Sequence, residues 1–375
     1  MKDSLKPINV LIVDDSAFMR KVVHDLLESD PQINVIAHAR NGQQALDIIQ
    51  SESPDVITLD IEMPVMDGLT TLEHLMKTRP VPVLMLSSLT KEGSVQTIKA
   101  LELGAVDFIQ KPTLSFMISS SQFREDLITK VKEAVLCKIK PIDTNRILSE
   151  TPLKHETQIV KPVSKQTSNN ISITKIKALG NAVNDTVIAI AVSTGGPKAL
   201  QSVIPLLPAS LSCPVLVVQH MPPGFTRSLA ERLNQLSHVN VKEAEHEEVV
   251  RKGTVYIAPG DYHMKVQIHS GQQLIILSKE KPVAGHRPSA DALFQSLASI
   301  PIKEVICVVM TGMGSDGTKG IHSLKENNIV HVVAQNEESS VVYGMPKSAV
   351  LAGVVDEIIP LEKIANAIMN RIGGW

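Results

Sequence analysis

Short apolar runs alternate with amphipathic stretches through the first third of the chain. The runs at 8–13, 33–39, 55–59, 82–87 and 105–109 carry Val, Ile and Leu on both of their alternating faces. A strand that is apolar on both faces is one covered by helices above and below, as in a parallel sheet. Between these runs, segments near 17–28, 41–51, 68–78, 91–102 and 121–138 place apolar residues at helical spacing. Five strand–helix repeats predict an open, five-stranded, doubly wound parallel sheet of the α/β class.

From about 140 to 184 the pattern fails. Lys, Thr, Ser, Pro and Asn dominate and no apolar period is sustained, which predicts a linker. Alternation resumes near Thr186. Strands are expected at 186–192, 214–219, 254–258, 264–269, 273–278, 305–311 and 329–334, with helices near 196–207, 225–237, 289–299, 316–326 and 360–371. This is a second doubly wound α/β domain with a mostly parallel sheet and a β-hairpin that turns at Ser270-Gly271. The expected division is a first domain over 1–139, a linker over 140–184 and a second domain over 185–375. Two domains suit a chain of 375 residues.

Composition narrows the class. Hydrophobic residues make up 43% and charged residues 20%, as in soluble globular proteins. Aromatics are only 3%, so aliphatic side chains must build the cores. A net charge of −2 excludes a binder that relies on a strong overall basic field, and no nucleic-acid partner is expected. Cys137, Cys213 and Cys307 are far apart and lack metal-ligand spacing, so they are expected to be indifferent thiols in a reducing compartment. The polar start, Met1 to Pro7, holds no signal core, and no apolar stretch approaches the ~20 residues of a membrane span. A cytoplasmic protein without membrane insertion is the expectation.

Polar residues gather at the carboxyl ends of the first set of strands, where open α/β sheets bind their ligands. Asp14 and Asp15 follow the first run, Asp60 the third, Ser87 the fourth and Lys111-Pro112 the fifth. A carboxylate flanked by two more and by an ammonium suits a hard cation and a transferred phosphoryl group. Any one strand-end Asp could be a helix cap or turn former, and Asp67-Gly68 is read that way. The combination of DD, D-x-x-M-P-x-M-D-G, S and K-P makes Asp60 the phosphoacceptor candidate. Asp14, Asp15 and Asp60 become candidate Mg²⁺ ligands, Lys111 a charge partner and Ser87 a hydroxyl donor to the phosphoryl group.

The second half carries different chemistry. Residues 188–192 run into Ser193-Thr194-Gly195-Gly196-Pro197, a strand that delivers a serine onto a tight turn before a helix. Ala191 stands where a nucleophile elbow has its first glycine, and the segment alone also fits an N-cap serine or a phosphate-cradling loop. His220 closes another run and is the candidate general base; His246, His263 and His286 compete with it. Asp316, in Met310-Thr311-Gly312-Met313-Gly314-Ser315-Asp316-Gly317, can orient an imidazole or cap the following helix. An oxyanion amide is expected near Met313. Thr194, Gln219 and Arg227 are candidates for a substrate groove, with Arg227 equally a solvated helix residue.

Residues 8–130 resemble the receiver domain of bacterial two-component response regulators, a flavodoxin-like fold. That resemblance implies Mg²⁺-dependent phosphorylation of Asp60 by a histidine kinase, with Ser87 and Phe108 coupling it to a surface shift. S-T-G-G-P, Q-H-M-P-P-G-F-T-R-S-L-A-E-R-L, Y-I-A-P-G-D-Y-H-M, H-R-P-S-A-D and M-T-G-M-G-S-D-G are similar to the chemotaxis protein-glutamate methylesterases. The resemblance implies hydrolysis of γ-glutamyl methyl esters, and deamidation of glutamines, on chemoreceptor cytoplasmic helices. It implies Ser193, His220 and Asp316 as the catalytic triad, with no cofactor in that domain. Three other readings compete. A receiver-bearing transcription regulator would need a basic recognition helix, which the second half lacks. A nonenzymatic adaptor would not need the three residues together. An esterase with another substrate would.

Overall fold

The computed structural model describes residues 6–88, 90–112, 121–137, 139 and 184–373. The linker expected over 140–184 lies outside them, apart from Asn184. Asn184 is buried in the second domain, where its Nδ2 donates to the Val250 carbonyl at 2.9 Å and to Gln273 Oε1 at 2.7 Å. Asn184, the last residue of the expected linker, thus packs into the second domain.

The first domain is the predicted parallel sheet. Its strands β1 (Ile8–Val13), β2 (Ile33–Ala39), β3 (Val56–Asp60), β4 (Val83–Ser87) and β5 (Asp107–Gln110) lie in the order β2-β1-β3-β4-β5. Helices α1 (Ala17–Glu28), α2 (Gly42–Ser51), α3 (Gly68–Thr78), α4 (Lys91–Glu102) and α5 (Ser121–Val135) connect and cover them. β1, β3 and β4 are buried almost throughout, which is why their sequences read as apolar on both faces. Asp67 caps α3 by accepting from the Thr70 amide at 2.7 Å, as its turn reading requires.

The second domain is built on a parallel sheet of seven strands. β6 (Thr186–Val192), β7 (Val215–Gln219), β8 (Asn240–Glu243), β9 (Thr254–Ile257), β12 (Glu304–Val309), β13 (Ile329–Gln335) and β14 (Glu357–Ile359) take the order β14-β13-β12-β6-β7-β9-β8. The expected hairpin, β10 (His263–His269) with β11 (Gln272–Ser278), forms its own antiparallel sheet. Helices α6 (Gly196–Val203), α7 (Phe225–Leu236), α8 (Ala290–Ala298), α9 (Thr318–Asn327), α10 (Met345–Leu351) and α11 (Ile364–Arg371) complete it. Chain order reverses direction between β6 and β12, and that switch point is where an open sheet leaves a crevice. Among the described residues no helix is long and apolar enough to cross a membrane.

One apolar cluster runs through both domains and includes Phe108 of β5 and Phe225 of α7. Their ring centroids lie 4.4 Å apart with the planes tilted by 40°. α4 packs on α7, where the Ser94 and Ser228 hydroxyls share a buried hydrogen bond of 2.6 Å. Glu102 accepts from Arg232 Nε at 2.7 Å and from Gln201 Nε2 at 2.9 Å. The edge of the first sheet formed by α4, β5 and α5 is thereby committed to the second domain. Truncating Phe108 to Ala should destabilise the fold by about 3–5 kcal/mol and loosen the pairing of the domains. Small-angle scattering of F108A should show a larger radius of gyration than the parent; an unchanged radius would mean that the ring pair does not hold the domains together.

Candidate functional sites

The first site forms where β1, β3 and β5 end. One carboxylate oxygen from each of Asp14, Asp15 and Asp60 lies within 4.8 Å of the others. The Lys111 ammonium reaches Asp14 Oδ2 at 2.8 Å and Asp60 Oδ2 at 2.7 Å. Arg20 braces the acidic turn by donating to the Asp14 and Asp15 carbonyls at 2.7 and 3.0 Å. Burial, partly opposed by Lys111, raises the Asp60 carboxyl to about 6. One ammonium thus leaves the cluster short of positive charge, and its hard oxygen donors fit a divalent cation such as Mg²⁺.

Ser87 sits at the end of β4 but is engaged elsewhere. Its buried hydroxyl lies 3.2 Å from the Gly93 carbonyl and accepts from Thr97 Oγ1 at 2.7 Å. It is tied to the first turn of α4, which also carries Ser94. Phe108 is a buried residue of the domain junction.

The second site lies at the β6/β12 switch point. β6 ends at Val192, and Ser193 is half-buried on the turn that follows. The turn reverses through Gly195, whose φ of 76° is left-handed, before Pro197 opens α6. Gly196 is required by space, since a Cβ there would meet Gln219 Oε1 at 1.9 Å. Gln219 Nε2 donates to the Ser193 carbonyl at 3.0 Å and to the His220 carbonyl at 3.2 Å. Gln219 is therefore a brace under the serine turn rather than a groove residue. The β12 loop clasps the same turn from the other side. The Ser193 amide donates to the Thr311 carbonyl at 3.0 Å, and Thr311 Oγ1 donates to the Thr194 carbonyl at 2.9 Å.

His220 follows β7, and its Nε2 lies 2.8 Å from Asp316 Oδ2. The carboxylate is 4% exposed and also accepts from Ser289 Oγ at 2.7 Å and from the Ala290 and Asp291 amides at 2.6 and 3.0 Å. Burial would raise its pKa, but the His220 contact, helped by the other donors, holds it down at about 2. Asp316 does cap a helix, though the preceding one, α8, rather than the one that follows. Asp291 completes the exchange by accepting from Gly317 and Gly320 at the start of α9, at 2.9 and 2.8 Å. The H-R-P-S-A-D motif thus supplies the cradle of the orienting carboxylate, a role that the sequence reading missed. An acidic residue three positions after a proline, at the head of an apolar helix, was the available signal.

With Nε2 bonded to a carboxylate, Nδ1 is the basic nitrogen of His220, and it is buried with no hydrogen-bond partner among the described residues. The hydroxyl–imidazole hydrogen bond expected between Ser193 and His220 is not formed there. Catalytic contacts of this kind often tighten only around a substrate. His246 accepts from the Leu277 amide, and His263 Nε2 lies 3.1 Å from the Lys281 carbonyl; neither joins the site. Met313 is 39% exposed on the β12 loop. Arg227 lies on the open face of α7, 3.4 Å from Glu231, as its solvated reading expects. Cys137 and Cys213 are buried thiols that burial pushes up to about 12 and about 11, and burial also raises Cys307, in keeping with indifferent cysteines.

Thr194 is not open either. Its hydroxyl lies 3.3 Å from Asp107 Oδ2 and 3.4 Å from Glu133 Oε2, both on the first domain. Beside them Lys130 contacts Asp107 Oδ2 at 2.8 Å.

Fold and geometry together define an α/β domain with an acidic, lysine-paired cluster at its strand ends, seated on a second α/β domain that carries a histidine–aspartate pair beside a strand-end serine. The family model described as response regulator receiver domain matches residues 10–118, and that described as CheB methylesterase matches residues 188–368. A protein-glutamate methylesterase/protein-glutamine glutaminase of Halalkalibacterium halodurans is 45% identical over 97% of this chain and 98% of its own length. The protein of the same name from Bacillus licheniformis is 47% identical over 97% of this chain and 98% of its own. The crystal structure of the Thermotoga maritima CheB methylesterase catalytic domain is 42% identical, covers 50% of this chain and all of that one, and superposes with a TM-score of 0.49. The chain belongs to the protein-glutamate methylesterase/protein-glutamine glutaminase family, the chemotaxis hydrolases that carry a response-regulator receiver.

Space around the serine is tight. A Cβ on Gly312 would come within 2.7 Å of Ser193 Cβ and 2.5 Å of Met345 Sδ. Gly312→Ala should displace the serine by a fraction of an ångström and lower turnover by about 100-fold while circular dichroism stays that of the parent. Turnover within a few-fold of the parent would show that the β12 loop does not set the position of the serine.

Proposed function

We infer that the enzyme hydrolyses glutamyl γ-methyl esters, and deamidates glutamines, on chemoreceptor cytoplasmic helices through Ser193, His220 and Asp316. The observation that carries this reading is the buried His220–Asp316 contact with Nδ1 left unpartnered at the end of the strand beside Ser193. Ser193 Oγ attacks the ester carbonyl carbon as His220 Nδ1 takes its proton. Asp316, kept ionised by its four donors, balances the imidazolium. Amides of the Ser193 turn and of the Met313 loop hold the oxyanion. The tetrahedral centre collapses, and His220 returns the proton to the departing methoxide, or to the departing amine for glutamine. Water then attacks the acyl-serine with His220 as base again, freeing glutamate and Ser193. Replacing Ser193 by Ala should lower methanol release from methylated receptors by about 10⁴-fold or more and leave phosphorylation of Asp60 intact. Persistent release from S193A would refute the assignment.

Asp60 is proposed to accept a phosphoryl group from the chemotaxis histidine kinase. Asp14, Asp15 and Asp60 would hold the Mg²⁺, which when bound neutralises charge on the transferred group. Lys111 adds a second positive charge there. Release of Ser87 from Gly93 toward the phosphoryl oxygens would loosen the first turn of α4, next to the Ser94–Ser228 contact. The domains are proposed as 1–139, a linker over 140–184 and a catalytic domain over 185–375, all in the cytoplasm.

The first domain meets the serine edge through Asp107 and Glu133 at Thr194, which supports control by occlusion. One Thr194 hydroxyl proton cannot serve two carboxylates. A protonated Glu133 donating to Thr194, with Thr194 donating to Asp107, satisfies all three. Burial, then the Asp107 charge, pushes Glu133 up to about 7 from an ordinary 4.5. A raised carboxyl stabilises the closed contact fully below about 4.5 and loses that contribution as pH climbs through about 7. Without phosphodonor, activity of the full chain relative to a fragment of residues 184–375 should be well below one at pH 6. It should rise roughly three-fold by pH 8, and Glu133→Gln should abolish the rise. A fragment no faster than the full chain would exclude occlusion.

A further inference from the structure

Asp316 holds the catalytic imidazole along one edge only, at Nε2. That bond leaves the ring free to rock about the line of the contact. The face of the ring is covered by another histidine. His286 lies against His220 with centroids 4.0 Å apart and planes only 5° from parallel, so the two rings touch across their faces.

The covering ring is itself fixed. The His286 amide donates to the Val283 carbonyl at 2.9 Å, and its carbonyl accepts from the Val283 amide at 3.0 Å. Next in the chain, Arg287 Nε donates to Asp261 Oδ1 at 3.0 Å, and its Nη1 donates to the Glu280 carbonyl at 3.0 Å. The loop that mounts His286 is pinned on both sides of the ring.

We propose that His286 is a positioning residue for acyl transfer, a wall that sets the plane of His220 and keeps Nδ1 aimed at the Ser193 hydroxyl. The proposal rests on the triad reading above. It also gives a role to a histidine that the sequence presented only as a rival base. His286 does not compete for the serine proton. Burial and the neighbouring His220 push its pKa down to about 4, so it stays neutral around pH 7. A neutral aromatic face beside the imidazolium that forms during attack is favourable, whereas a second cation would repel it.

The test is steady-state methanol release from membranes bearing methylated chemoreceptors, with the full chain activated by acetyl phosphate. His286→Ala removes the wall, and His286→Phe restores a flat ring without nitrogens. Ala should lower kcat by about 10-fold or more with KM within about two-fold, and Phe should recover kcat to within about three-fold of the parent. Parent-like kcat in H286A overturns the proposal. So does an H286F enzyme that melts like the parent yet is as slow as H286A, since the imidazole nitrogens rather than the plane would then be at work. Ser193→Ala is run beside them, so that failure of the triad reading, seen as turnover by that variant, is told apart from failure of the wall.

Discussion

The catalytic half of the molecule depends on one buried carboxylate. Asp316 gathers donors from His220, Ser289 and the first amides of α8, and so joins the end of β7 to the head of α8. Asp291 answers by capping α9. Two helix starts and the His220 imidazole thus share one exchange of carboxylates, each placed where a helix dipole favours negative charge. Folding of this region and orientation of the imidazole are the same event. Had Asp316 been left with His220 alone, burying its charge would have forced its pKa upward and weakened it as a counter-ion to the imidazolium.

The serine is positioned by different means. Among the described residues no side chain hydrogen-bonds its hydroxyl; its backbone is clamped instead. Gln219 takes its carbonyl, Thr311 takes its amide, and glycines at 195, 196 and 312 remove the side chains that would keep the three loops apart. The β6/β12 switch point supplies the gap and the glycines let backbone fill it. The first domain meets this assembly at Thr194, immediately after Ser193, with two carboxylates. The contact therefore reaches the backbone scaffold of the serine and not the imidazole pair.

Much of this was legible in the sequence, and the limits have physical reasons. Both sheets were readable because buried parallel strands are apolar on every position. The edge strands β8 (Asn240–Glu243) and β14 (Glu357–Ile359) were missed because each is short and half-solvated, with charged residues in it. The short helix α10 was missed because Gly344 and Pro346 mask its period. Strand-end polar residues could be picked out one by one, since topology alone brings them to a rim. Partner choice could not: Gln219 as a brace, Asp316 as a cap for α8 and Ser87 bound to α4 all depend on contacts between segments distant in the chain. The junction of the domains was equally hidden, because nothing in the sequence pairs Phe108 with Phe225, 117 positions away, though their rings meet across it.

The two sites show one side chain used in opposite ways. Asp60 and Asp316 are both buried at the carboxyl edge of a parallel sheet. Asp60 is surrounded by its own kind with a single ammonium for relief, and is pushed up to about 6. Asp316 is surrounded by donors, and is held at about 2. Added positive charge would relieve the first environment, which suits the cation and phosphoryl group proposed for it. The second is complete as it stands and needs nothing from outside, which is what a permanent counter-ion requires. The difference lies in the supply of donors: a helix start and a serine hydroxyl surround one carboxylate, while more carboxylates surround the other. An α/β edge can be left short of positive charge or made a settled counter-ion by that choice alone, and in this chain the domain with the first kind of edge is folded against the domain with the second at Thr194.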